Sequence, residues 1–234
     1  MIVNAPTPQI ACTLGDFGYL PVVTGQVLAR LVLEGPPDAR RARQHQKWRN
    51  RLVRAESVGM TVTHRPFDPA RHRDVLLQEA RQRQCRGYRA LPLAFLETLT
   101  TLAPDHARLF QARYRGKAIA SMLFFRHGIG SSYLIGHNSD LGRRLSAHNL
   151  LLWRGSNWLA DQGHRWLDLG PVETETPAGA SLARFKLGSG ATPHPLGATC
   201  VYTALTAPLG RLARHVMPNT AAHVVAGQTD PSCR

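Results

Sequence analysis

Between residues 107 and 169 the apolar period of this chain changes twice, and that change limits the folds open to it. Ala107 to Arg113 and Ala118 to Arg126 are rich in residues suited to strands, and Arg115-Gly116-Lys117 between them has the chemistry of a tight turn. Gly128-Ile129-Gly130 turns the chain again before a third strand, Ser131 to Gly136. The period then becomes helical. Leu151 and Trp158, like Leu152 and Leu159, recur seven residues apart over Ser146 to Gln162, and Gly163 closes that helix. Trp166 to Leu169 returns to a short buried strand ended by Gly170-Pro171. An antiparallel meander thus feeds a strand–helix–strand crossover, which is right-handed and parallel as a rule.

The flanks supply further elements. Gly18 to Thr24 reads as a strand, and Gly35-Pro36-Pro37 as a breaker with Asp38 as N-cap of a helix over 39–58. Trp48, Leu52 and Ala55 share one face of that helix, and Gly59 ends it. Met60 to Arg65 alternates as a strand does. A helix from Asp68-Pro69 to about Gly87 and a shorter one after Pro92 follow. Past the crossover come a helix over 180–187 and a last strand over 198–203. Leu205, Leu209, Leu212 and Val216 then form an apolar stripe beside Arg211 and Arg214, which suits a short covering helix or a membrane-surface contact.

Composition narrows the function classes. Basic residues number 29 against 15 acidic ones, a net charge of +14. Apart from Lys47, Lys117 and Lys186, the lysine and arginine set is all arginine. Such a charge suits an anionic partner such as a CoA phosphate, a tRNA or a membrane surface, and equally a GC-rich coding bias. Cys12, Cys85, Cys200 and Cys233 are far apart, so neither a disulfide nor a metal site is expected. No secretory leader or membrane-spanning run is visible, which sets the expectation of a cytoplasmic protein. The nucleophile elbow, the zinc-protease helix motif and the P-loop are all absent from the sequence.

Four pieces, in order, resemble the GNAT acyltransferases and within them the FemAB-related branch. They are Lys47-Trp48-Arg49-Asn50 with Ala55-Glu56 and Gly59, Arg115 to Ala120, Leu167 to Gly170, and Arg184-Phe185-Lys186-Leu187-Gly188. The resemblance covers roughly 40–205 and fits one complete unit where the branch usually has two. It implies a mixed α/β (α+β) fold, a mostly antiparallel sheet flanked by helices. The expected layout is an appendage over 1–60, an acyltransferase domain over 61–205 and a partly helical tail over 206–234.

The resemblance also implies a reaction: direct attack of an amine on an acyl-CoA thioester or an aminoacyl-tRNA ester, with either donor as co-substrate and no tightly bound cofactor. The acceptor would be a small amine, amino acid or peptide. A non-catalytic RNA- or anion-binding protein on the same fold is the alternative. Lys186, after Phe185, is implied to steady negative charge at the transferred acyl group. Asp168 is a candidate base, an amine-orienting group or a turn cap, and His137 is a second candidate base. A backbone N–H within Tyr133 to His137 is the implied oxyanion donor. Arg143, Arg144 and Ser146 precede the long helix, where donor phosphates are expected. They match the family's CoA-binding pattern loosely, with His148 where a small residue belongs. Arg49 and Glu173 are candidate acceptor-binding groups.

Overall fold

The computed structural model describes residues 1–86, 91–204 and 207–209. The chain divides into two units, 29–192 and a smaller one made of 1–28 with 193–234. This differs from the layout expected above. Residues 29–60 belong to the larger unit, where Leu31, Leu33, Trp48, Leu52 and Ala55 are core residues. Most of the tail's apolar stripe lies outside the described residues.

In chain order the elements are β1 (Ile2–Asn4), α1 (Pro8–Asp16), β2 (Leu20–Val23), β3 (Val27–Val32), α2 (Pro37–Ala42), α3 (Gln46–Ser57) and β4 (Thr61–Pro66). Then come α4 (Arg73–Arg86), α5 (Leu93–Leu102), a 3-10 turn at Pro104–His106, β5 (Ala107–Tyr114), β6 (Lys117–His127) and β7 (Gly130–Asn138). The series ends with α6 (Asp140–Arg144), α7 (Ala147–Asp161), β8 (Trp166–Pro171), α8 (Pro177–Gly188), β9 (Thr192–Pro195) and β10 (Thr199–Val201).

In the larger unit six strands run in the order β4-β5-β6-β7-β8-β3. β4 to β7 are antiparallel neighbours and β7 pairs with β8 in parallel. The expected turn is present, with Arg115 and Gly116 at φ of 49° and 76° joining β5 to β6. Side chains alternate across these strands. Phe110, Ala112, Met122 and Phe124 join a core with Trp48 and Leu52 of α3 and Leu151 and Leu159 of α7. Leu109, Leu123 and Ile135 point the other way, into a second core with Val75 and Leu76 of α4 and Leu96 of α5. The sheet is therefore covered on both faces.

Three expectations change. The helix over 39–58 is two helices, and His45 Nδ1 accepts the Lys47 N–H at the start of the second. Pro36, not Asp38, holds the N-cap position of α2. The final strand is not part of the main sheet: in the small unit β10 lies between β1 and β2. Ala5, Ala11, Ala198 and Cys200 form that unit's own core. The strand that lies beside β8 is β3, whose Val27 to Val32 run was not assigned from the sequence.

Candidate active site

β7 and β8 are in register only at their starts, Gly130 to Ser132 against Trp166 to Asp168. Both continue beyond that point, β7 to Asn138 and β8 to Pro171. A bulge marks the same place. Phe124 faces Tyr133 while Leu123 faces Ile135, so Leu134 is an extra residue in β7. A bulge bends its strand and increases local twist. Two adjacent parallel strands thus part company, and the residues beyond the split line a wedge.

Lys186 stands at the β8 side of that wedge. Thr176 caps α8 by accepting the Gly179 N–H, and Pro177 occupies the first turn. Three turns on, Lys186 is only 5 % exposed, and its Nζ donates to the Pro171 carbonyl at 2.7 Å. Gly170, at φ of 83°, makes the turn just before that carbonyl, a conformation other residues resist. Burial lowers the Lys186 pKa and the nearby Glu173 carboxylate raises it partway back, leaving it at about 8. The ammonium is therefore mostly charged at neutral pH, and it sits where water screens it poorly.

Phe185 packs against two rings, 6.2 Å from Trp48 and 6.2 Å from His148. His148 Nε2 lies 2.9 Å from the His137 carbonyl oxygen, so the first turn of α7 is tied to the far end of β7. Asn149 is 5 % exposed, and its Nδ2 has no hydrogen-bond partner among the described residues. Sequence reading assigned neither residue a role. His148 looked merely too large for a small-residue position.

Asp168 is held by Arg30 of β3, with Nε to Oδ1 at 2.8 Å and a longer second contact at 3.5 Å. The Arg30 guanidinium also lies over the Trp166 ring at 5.3 Å. Both oxygens of Asp168 thus face the Arg30 guanidinium, and the pair joins β8 to β3. Asp168→Asn is expected to cost about 1–3 kcal/mol of stability. Transfer by the folded fraction should stay within about threefold of wild type. Urea unfolding and a rate normalised to folded protein check both statements.

Arg143 is engaged locally. Its Nη1 donates to the Asn138 carbonyl at 2.6 Å and its Nη2 pairs with Asp140, while Ser139 Oγ caps α6. Arg144 is exposed. Ser146 adopts φ of 56° at the start of α7 and makes no side-chain cap bond, which turns the chain into the long helix. Tyr133 borders the bulge, and its hydroxyl covers Gly136, where an added Cβ would lie 2.1 Å from it. Arg49 donates to Gln46 within α3 and is not drawn to the wedge by any such bond. Glu173 is exposed beyond β8 and acts on Lys186 through its charge. Among the described residues no cluster of His, Cys, Asp and Glu could hold a metal ion, and no helix is long and apolar enough to cross a membrane.

A meander, a split between the parallel strands and a helix starting at the split together define an acyltransferase fold of the GNAT type. The family described as Acetyltransferase (GNAT) domain matches residues 39–187, well over half of the chain, and this chain belongs to it. No curated protein matches. Among solved structures, FemX is similar over 92% of this chain and 74% of its own, at TM-score 0.74 and 12% identity. L-PGS from Bacillus licheniformis is similar over 98% and 74%, at TM-score 0.55 and 14% identity. A conserved protein of unknown function from Bacteroides thetaiotaomicron is similar over 86% and 69%, at TM-score 0.58 and 12% identity. At these identities the likeness is one of fold.

Proposed function

We propose that this protein is an N-acyltransferase that joins an acyl group from acyl-CoA, or an aminoacyl group from aminoacyl-tRNA, to a small amine, amino acid or peptide in the cytoplasm. The observation that carries this reading is the buried Lys186 ammonium at the split between β7 and β8. The reaction needs no covalent intermediate with the protein. The amine nitrogen bonds to the carbonyl carbon, the thioester or ester bond breaks, and the leaving sulfur or oxygen takes up a proton. The protein's work is to hold both partners and to stabilise charge on oxygen in the transition state.

In this reading the donor's carbonyl lies in the wedge. Backbone N–H groups of the bulged stretch from Tyr133 to His137 and the Lys186 ammonium face the developing oxyanion. Phe185 shapes the apolar wall, and the start of α7, with Ser146, Arg144 and Asn149, receives donor phosphates. A compact donor such as acyl-CoA suits a single unit of this size, and Glu173 attracts the cationic acceptor. His137 remains the candidate base.

The test is to incubate the protein with acetyl-CoA, longer acyl-CoAs or charged tRNA, together with a panel of amines, and to read acceptor mass. An acyl or aminoacyl mass gain absent with Lys186→Met supports the proposal. Donor binding without any mass gain, across the panel, would count against it.

The role of Glu173 can be read from pH dependence. Activity that needs the Lys186 ammonium should fall as pH rises through about 8. Glu173 favours the charged form, so Glu173→Gln should lower the Lys186 pKa further and move that falling limb to lower pH. A limb that stays in place would separate Glu173 from Lys186.

A further inference from the structure

At the other end of β6 and β7 from the wedge, two arginines share one indole. Arg108 of β5 lies 5.0 Å from the centre of the Trp158 ring, and Arg126 of β6 lies 5.6 Å from it. Both project from the sheet face that α7 covers, and both are half-buried. Neither forms a salt bridge, although six other arginines of the described residues do.

The surroundings deepen the imbalance. Arg108 Nε donates to His64 Nδ1 at 3.0 Å, which requires that nitrogen to be unprotonated. Burial and the Arg108 charge both lower the His64 pKa, in keeping with that bond. Burial lowers the His164 pKa most, Arg126, His127 and His106 lower it further, and a backbone hydrogen bond with Gly130 opposes them. The Nε of Arg126 and the Nδ1 of His164 are buried polar atoms with no hydrogen-bond partner among the described residues. Arg126 Nη2 is spent on the backbone oxygen of Asp105. The C-terminal end of α7 offers partial negative charge nearby, worth well under that of a full carboxylate.

Like charges brought together without a counter-ion cost energy, and buried donors left unpaired cost more. An oxyanion seated between the two guanidiniums would relieve both. Guanidinium N–H groups suit the oxygens of a tetrahedral oxyanion, and the place of both guanidiniums over Trp158 orients them in advance. We propose that Arg108 and Arg126, backed by Trp158 and flanked by His64 and His164, form a binding site for the phosphoryl group of a small phosphomonoester. Both guanidiniums lie over one ring, at 5.0 and 5.6 Å from its centre, a compact cluster that suits a single phosphoryl group. This site is separate from the wedge, and its existence does not depend on the transfer reaction.

The experiment is calorimetric titration of the full chain with inorganic phosphate and with glycerol 3-phosphate, with Trp fluorescence as a second readout. Wild type should bind both. R108Q/R126Q should bind them at least about tenfold more weakly, whereas R51Q/R54Q, which removes the same charge from α3, should stay within about twofold. R108K/R126K keeps the charge without the fork and should be several-fold weaker, which serves if the glutamine pair fails to fold. Equal binding by wild type and R108Q/R126Q would overturn the site, as would no binding of either ligand up to about 10 mM. Binding to an RNA oligonucleotide or to anionic vesicles that neither small phosphate displaces would also overturn it, because the positive surface would then serve a macromolecule.

Discussion

Lys186→Met is expected to lower the rate of acyl transfer by about 10²–10³-fold while making the folded protein more stable at pH 7. The two effects share one origin. A lysine pKa lowered from 10.5 to about 8 reports that burial disfavours the ammonium, at about 3 kcal/mol. Methionine fills similar space without that cost, but it leaves the Pro171 carbonyl without its donor, which takes back about 1–2 kcal/mol. The net gain should be about 1–2 kcal/mol in urea unfolding at pH 7. The sign with pH follows from the lowered pKa. Below about 8 both folded and unfolded lysine are charged and the full cost applies. As pH rises from about 8 toward 10.5 the folded lysine is already neutral, the cost fades, and the advantage of methionine should shrink. A variant that loses stability and keeps its rate would place Lys186 among ordinary structural residues.

Trp48→Ala should be the most damaging single truncation near the site. Trp48 is 4% exposed, lies tilted against Phe185 and abuts Gly188, where an added Cβ would already lie 3.0 Å from its ring. Removing it should cost about 3–5 kcal/mol. Leu52, fully buried one turn along α3, provides the comparison, since Leu52→Ala should cost about 2–5 kcal/mol. The two variants should differ in function. Phe185 loses its ring contact when Trp48 is cut, and Phe185 adjoins Lys186. Per folded molecule, Trp48→Ala should therefore transfer at least about tenfold more slowly than Leu52→Ala. Denaturant unfolding gives the folded fraction, and the rate is divided by it. Equal normalised rates would show that the α3 contact does not position the Phe185-Lys186 pair.

Local chemistry was legible in the sequence. Arg115-Gly116 announced its hairpin, and Leu151 with Trp158 announced the long helix, because turns and amphipathic periods are properties of neighbours in the chain. Lys186 stood out because lysine is scarce here and because of the Phe-Lys pair. Its burial was not legible, since that depends on the end of β8 lying against α8. The bulge at Leu134 was equally hidden. It is a mismatch of count between β6 and β7, and no single strand encodes it. The ion pair of Asp168 was hidden for a related reason: its partner Arg30 lies 138 residues away, on a strand that enters the sheet beside β8. The stretch over 198–203 had strand chemistry, but the choice of sheet is a long-range matter, and it pairs with β1 and β2 near the start of the chain. His148 and Asn149 gain meaning only because α7 begins where β7 leaves β8.

The central claim is that Lys186 is a buried ammonium at the place where the acyl donor binds. Lys47, Lys117 and Lys186 are the only lysines in the chain, so lysine labelled with ¹³C and ¹⁵N at its side-chain terminus gives a spectrum simple enough to assign by single substitutions. Titration by NMR should show the Lys186 signal moving with a midpoint near 8, and adding acetyl-CoA or charged tRNA should shift that signal while Lys47 stays in place. A Lys186 signal that titrates at the ordinary lysine value and ignores both donors would contradict the account.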